Sequence, residues 1–132
     1  MARSLTRVFA AVLAVSVLAA PVLAHHSLSA EFDVNAPIEF DARVVKVDWL
    51  NPHIYTHVEV TAGEFAGQTF KIEGGPPNSL YRNGWRKDSL EAGMDVHIEG
   101  IRAKSATSNN IGDATITLDD GTEVFSRFGR VR

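Results

Sequence analysis

The chain has 132 residues, 45% of them hydrophobic and 22% charged, with a net charge of −3; this fits one small globular domain and excludes a disordered or low-complexity chain. It contains no cysteine, which excludes disulfides, thiolate metal sites and thiol nucleophiles together. The acidic balance argues against nucleic acid as a partner, because binding to the phosphate backbone depends on Lys and Arg displacing counterions.

Arg3 and Arg7 precede an apolar run from Val8 to Ala20, and Pro21-Val22-Leu23-Ala24 then offers small residues at the third and first positions before a cleavage point. The run is shorter than the roughly 20 residues of a bilayer span, so residues 1–24 read as a cleavable signal peptide. The mature protein is therefore expected in the periplasm, with no membrane span. Cutting after Ala24 leaves 108 residues and moves the net charge from −3 to −5, since Arg3 and Arg7 leave and no acid leaves with them. A domain of that size can bury a single core without staples.

Residues 25–37 open with His25-His26-Ser27, show no sustained period and reach a turn signal at Asn35-Ala36-Pro37, so they are expected to form an extended arm. Residues 38–132 are expected to form the domain itself. From Ile38 a period of two places Ile38, Phe40, Ala42 and Val44 on one face and Glu39, Asp41 and Arg43 on the other. The parity then switches, with Val45, Val47 and Trp49 continuing the apolar side while Lys46 and Asp48 turn out. One extra residue in a bulge near Val44-Val45 accounts for this. Asn51-Pro52 interrupts regular pairing, which puts His53 at the mouth of a turn, where binding residues concentrate.

A second strand follows with Ile54, Thr56, Val58 and Val60 inward and Tyr55, His57 and Glu59 outward. Ala62 to Gly67 is a glycine-bracketed loop, Thr69 to Glu73 a third strand, and Gly74-Gly75-Pro76-Pro77 its exit. The glycine pair could also shape an anion nest, though a tight strand exit is the simpler reading. Asn78 or Ser79 is expected to cap a short helix through Arg82, closed by Asn83-Gly84, with Trp85 packed beneath it. Met94, Val96 and Ile98 point inward on a fourth strand while Asp95, His97 and Glu99 point out. Ser105 to Gly112 reads as a polar loop. Thr115 to Leu118, the Asp119-Asp120-Gly121 turn and Val124-Phe125 form a hairpin signal. Together these elements predict a mainly β fold, a five- to six-stranded, partly open Greek-key barrel of the OB type with one short helix. A small open β-sandwich is the alternative.

The Ala24-His25-His26-Ser27 start, Glu31-Phe32-Asp33, Trp49-x-Asn51-Pro52-His53, Glu73-Gly74-Gly75-x-Pro77-Asn78 and Gly84-Trp85 resemble a family of small exported bacterial proteins catalogued as a domain of unknown function. The resemblance covers essentially the whole mature chain. It implies a periplasmic location and a barrel, and it supplies no activity and no catalytic residue.

Function is read from the five histidines, His25, His26, His53, His57 and His97. Cleavage after Ala24 would give His25 a free α-amine. That amine, its own imidazole and a further imidazole from His53 or His57 would make a nitrogen set suited to copper(II). On a regular strand, four residues at roughly 3.3 Å each separate His53 from His57 by about 13 Å, too far to share one ion. The candidate metal residues are therefore His25, His26, His53 and His57, with the arm needed to complete a site. Asp33, Asp48, Glu59 and Glu73 are possible carboxylate partners, and no spacing singles one out. His97, between two outward acids, reads as a solvated surface histidine. Tyr81, Arg82, Trp85, Arg86 and Lys87 mix aromatic and basic residues as a platform would, with Trp85 assigned to the core. No nucleophile motif or phosphate loop is present, and His57 with Glu59 as an acid–base pair lie a full pleat apart. The expected function is an exported, non-enzymatic binding module for copper or another divalent metal. The alternative is a metal-free module, monomeric or weakly associating, that recognises a protein or glycan through its barrel face.

Overall fold

In a computed structural model the described residues are 28–124. The chain divides after Glu31 into two compact units; residues 28–31 of the first are helical, and the second, from Phe32, carries all the strands. Its elements are β1 (Phe32–Trp49), β2 (Ile54–Val60), β3 (Thr69–Glu73), the helix α1 (Pro77–Arg82), β4 (Asp95–Ala103), β5 (Asn110–Leu118) and β6 (Glu123–Val124). Among the described residues no helix is long and apolar enough to cross a membrane.

The strands form one sheet in the order β3-β2-β1-β4-β5-β6, and β3 also pairs with β5, in parallel. That extra pairing, through Lys71 opposite Asn110 and Ile72 opposite Ile111, bends the sheet into a ring. The remaining pairings are antiparallel. Inside lie Phe40, Ala42, Val44, Ile54, Val58, Phe70, Ile72, Val96, Ile98, Ile111 and Ile116, all buried. The alternation expected for β2 and β4 is what those strands show, and β3 alternates as well, because one face of each packs on this core. Phe40 stacks on Phe70 at 5.0 Å between ring centres, joining β1 to β3 across the interior.

Four expectations need correction. β1 begins at Phe32 and not at Ile38: Phe32 pairs with Ala103 and Pro37 with Ile101, with an irregularity between them that takes up the proline. The bulge falls between Val44 and Lys46, as the parity switch predicts, yet Val45 is itself the extra residue and points to solvent, while Val47 and Trp49 pack against the core. Asn78 and Ser79 do not cap α1; Pro76 is the cap residue and Pro77 opens the first turn, where a missing N–H costs nothing. β5 starts at Asn110, inside the stretch read as loop, because the pairing with β3 recruits Asn110 and Ile111. The expected core position of Trp85 holds. Gly74 donates its N–H to the Ile54 carbonyl at 2.8 Å and the Gly75 carbonyl accepts from Ile54, which makes the double glycine a strand exit and not a nest. The Asp119-Asp120-Gly121 hairpin is as expected, with Gly121 at a φ of 83° and β6 following; Phe125 lies outside the described residues.

Candidate functional site

The bulge and the Asn51-Pro52 turn decide which side chains share the outer face of β1, β2 and β3. Beyond Val45 the strand's outward set becomes Lys46 and Asp48, and these meet the outward set of β2. Asp48, Tyr55 and Glu73 lie in one row across the three strands, and Lys46, His57 and Lys71 in the next. The pleat places each row's side chains within reach of their neighbours. His57 Nε2 sits 2.9 Å from Asp48 Oδ2, and Lys46 Nζ donates to the same carboxylate at 2.8 Å. The hydrogen bond that Asp48 accepts from Lys46, and after it the one it accepts from His57, holds its carboxyl below the usual carboxylate range. His53 Nδ1 lies 2.8 Å from Glu73 Oε1. Between the two pairs stands Tyr55, with Lys71 Nζ 4.7 Å from its ring centre.

Of the four carboxylates open to the histidines, Asp48 and Glu73 are the ones taken. Asp33 instead accepts the Asn35 N–H, and Glu59 lies opposite Arg43. His53 and His57 each engage one carboxylate through one ring nitrogen, Nδ1 of His53 and Nε2 of His57, an arrangement that fixes ring orientation. They share no group of three metal-ligating side chains among the described residues. His25 and His26 lie outside the described residues.

A second cluster lies on the outer face of β1 and β4. Asp41 is opposite His97 and Glu39 opposite Glu99. His97 Nδ1 is 2.8 Å from Asp41 Oδ1, and its Nε2 is 3.2 Å from Glu39 Oε1. Glu39, His97 and Glu99 can bring one ligand atom each within 4.8 Å of the others. β1 turns Glu39 and Asp41 outward and β4 turns Asp95, His97 and Glu99 outward, but Asp41 and His97 are 56 residues apart, and no local pattern fixes which acid faces which base. Next along the same strands Arg43 and Asp95 form their own pair at 2.8 Å.

The hydrogen bond that the His97 ring donates to Asp41, with the charges of Asp41, Glu39 and Glu99, raises the His97 pKa above its ordinary 6.5. A raised folded value means that the protonated ring stabilises the fold; the contribution is complete below the unfolded value and fades as pH rises through the folded one. The His97 side chain is 37% exposed, so solvent screening limits the gain to about 0.5 kcal/mol. In buffer with chelator, His97→Gln is expected to lose about that much stability at pH 6 and next to nothing well above the folded pKa. Urea melts at several pH values check this, and a difference that grows with pH would contradict it.

On the α1 side Arg86 lies over the Tyr81 ring, 5.5 Å from its centre, and donates from Nη1 to the Tyr81 and Trp85 carbonyls. Tyr81 is 39% exposed.

No curated protein and no solved structure matches the chain. A family profile described as a family of unknown function (DUF6152) matches residues 11–112, from within the segment read as a leader to Gly112 in β5. That span is well over half of the chain, and the protein belongs to this family of unknown function.

Proposed function

We propose that the protein is an exported, non-enzymatic binding module of the periplasm that takes up a divalent metal ion, copper(II) foremost, through histidines. The third ligand is His53 or His57, and His25 and His26 of the arm supply the rest once cleavage frees the α-amine of His25. The observation that carries the reading is the pair of carboxylate-held imidazoles, His53 on Glu73 and His57 on Asp48, flanking Tyr55 on one face. Histidine ligands characteristically have their other ring nitrogen held in this way. The ring order β1-β2-β3-β5-β4, with α1 between β3 and β4, supports an OB-type barrel, a fold in which the β2–β3 face is the usual binding surface.

Copper(II) titration of the chain purified after export tests this. One equivalent should bind tightly, with the spectrum of a nitrogen-rich site. His25→Ala, or one extra residue before His25, should abolish it, and either His53→Ala or His57→Ala should weaken it by about tenfold or more. Tight binding that survives blocking of the α-amine would sink the chelate. Arg86 held over the exposed Tyr81 favours a second reading, a metal-free module that docks a protein or glycan there. In that case Tyr81→Ala abolishes partner capture and the histidine variants leave it intact.

A further inference from the structure

We propose a second divalent-cation site on the opposite flank of β1, formed by His97 Nε2 with the carboxylates of Glu39 and Glu99, and suited to zinc. It goes beyond the copper reading and needs neither the arm nor a free α-amine.

Three features of the geometry converge. First, Glu39 Oε1 stands 3.2 Å from His97 Nε2. Two ligands at about 2.0–2.1 Å from one tetrahedral zinc ion are separated by close to that distance, so the pair is spaced as ligands are before any ion arrives. Glu99 stands beside this pair, one ligand atom from each of the three residues lying within 4.8 Å of the others, so a small side-chain shift would bring its carboxylate onto the same ion.

Second, Asp41 takes the far side of the ring. Its Oδ1 lies 2.8 Å from Nδ1, which favours the tautomer with the proton on Nδ1 and turns the Nε2 lone pair toward the two glutamates. A carboxylate behind a histidine is the usual companion of a histidine–zinc bond. Asp41 is thus a positioning residue and not a ligand.

Third, the strand register builds in a repulsion that a cation relieves. Glu39 and Glu99 are directly opposite across β1 and β4, and like charges so placed oppose pairing. The charged neighbours are accounted for: Arg43 is committed to Asp95 on the same two strands, and β5 contributes Thr115 and Thr117, opposite Glu99 and His97, which carry no charge. A zinc ion at Nε2 would place positive charge between the two carboxylates. One imidazole and two carboxylates leave a position for water, as open zinc sites do. The thiolate-free, mixed nitrogen and oxygen set favours zinc over the softer copper(I).

The experiment is zinc titration of the chain purified after export, followed by calorimetry and by NMR of the histidine rings. The expected result is saturable binding of one equivalent that shifts the His97 ring signals, is lost in His97→Ala, and weakens about 10- to 100-fold in Asp41→Asn. Binding should persist in His53→Ala, His57→Ala and His25→Ala. His97→Ala should keep its thermal transition within a few degrees, since the side chain is at the surface. Zinc binding that survives His97→Ala, or no saturable binding at all, would overturn the site. Binding lost in the His25 or His53 variants and kept in His97→Ala would assign the ion to the copper face instead, so failure of one site is distinguishable from failure of the other.

Discussion

Replacing Phe32 with alanine is expected to lower stability by about 3–5 kcal/mol, the range for deleting a buried ring, out of the ~5–15 kcal/mol that holds a small domain together. Phe32 is 2% exposed. Its ring lies flat on Gly112, so closely that a methyl group there would come within 2.7 Å of it. The glycine is what makes room for the ring, and Gly112→Ala is expected to cost about 1–3 kcal/mol by overpacking. The two changes should not add: with Phe32 already alanine, the methyl at residue 112 has space and its cost should shrink toward zero. Chemical denaturation of the four-member cycle reads this directly. Full additivity would mean that ring and glycine do not meet.

A loss of similar size is expected from Ile98→Ala. Ile98 is fully buried and stands in register with Phe40 of β1 on one side and Ile116 of β5 on the other, at the middle of the interior. Truncation there should cost about 2–5 kcal/mol, transfer and cavity terms together. For a domain of about 100 residues each kcal/mol lowers the melting temperature by roughly 4–8 °C, so a fall of 10 °C or more is expected. Ile98→Val removes one methylene and should cost only about 0.5–1.5 kcal/mol. A thermal melt that separates the two variants poorly would show that the site collapses around the missing atoms.

These positions also show what could be read from the sequence. Ile98 was legible because β4 alternates, and alternation is a local property that any half-buried strand must display. The same holds for Ile54 to Val60, for Thr69 to Glu73 and for the bulge, whose signature is a change of parity inside one strand. Phe32 and Gly112 were not legible. Phe32 sits in a stretch without period, and it is strand because Ala103 lies beside it, 71 residues on. Asn110 is strand because of Lys71. Partners that distant leave no trace in the local pattern. The candidate site divides the same way. Asp48 and His57 are nine residues apart across one turn, and both stood among the candidates, whereas Glu39, Asp41 and Glu99 gather around His97 only once β1 and β4 are paired. The capping of α1 failed for a different reason: Asn78 and Ser79 are good cap residues, but Pro77, which favours the first helical position, moved the start ahead of them.

Val45 has a further consequence. It contributes no ligand and points into solvent, yet it sets the phase of everything that follows it in β1. Were Val45 paired as an ordinary strand residue, with no bulge, positions would alternate unbroken from Val44, and the side chains at 46 and 48 would be addressed to the interior while those at 47 and 49 faced water. The lysine and carboxylate that hold His57 would be where Val47 and Trp49 now pack. One inserted residue thus separates two instructions written on a single strand, one half spelling a wall of the core and an acidic flank, the other a wall of the core and a histidine-bearing flank. The two outer faces can therefore carry different chemistry while sharing one continuous backbone.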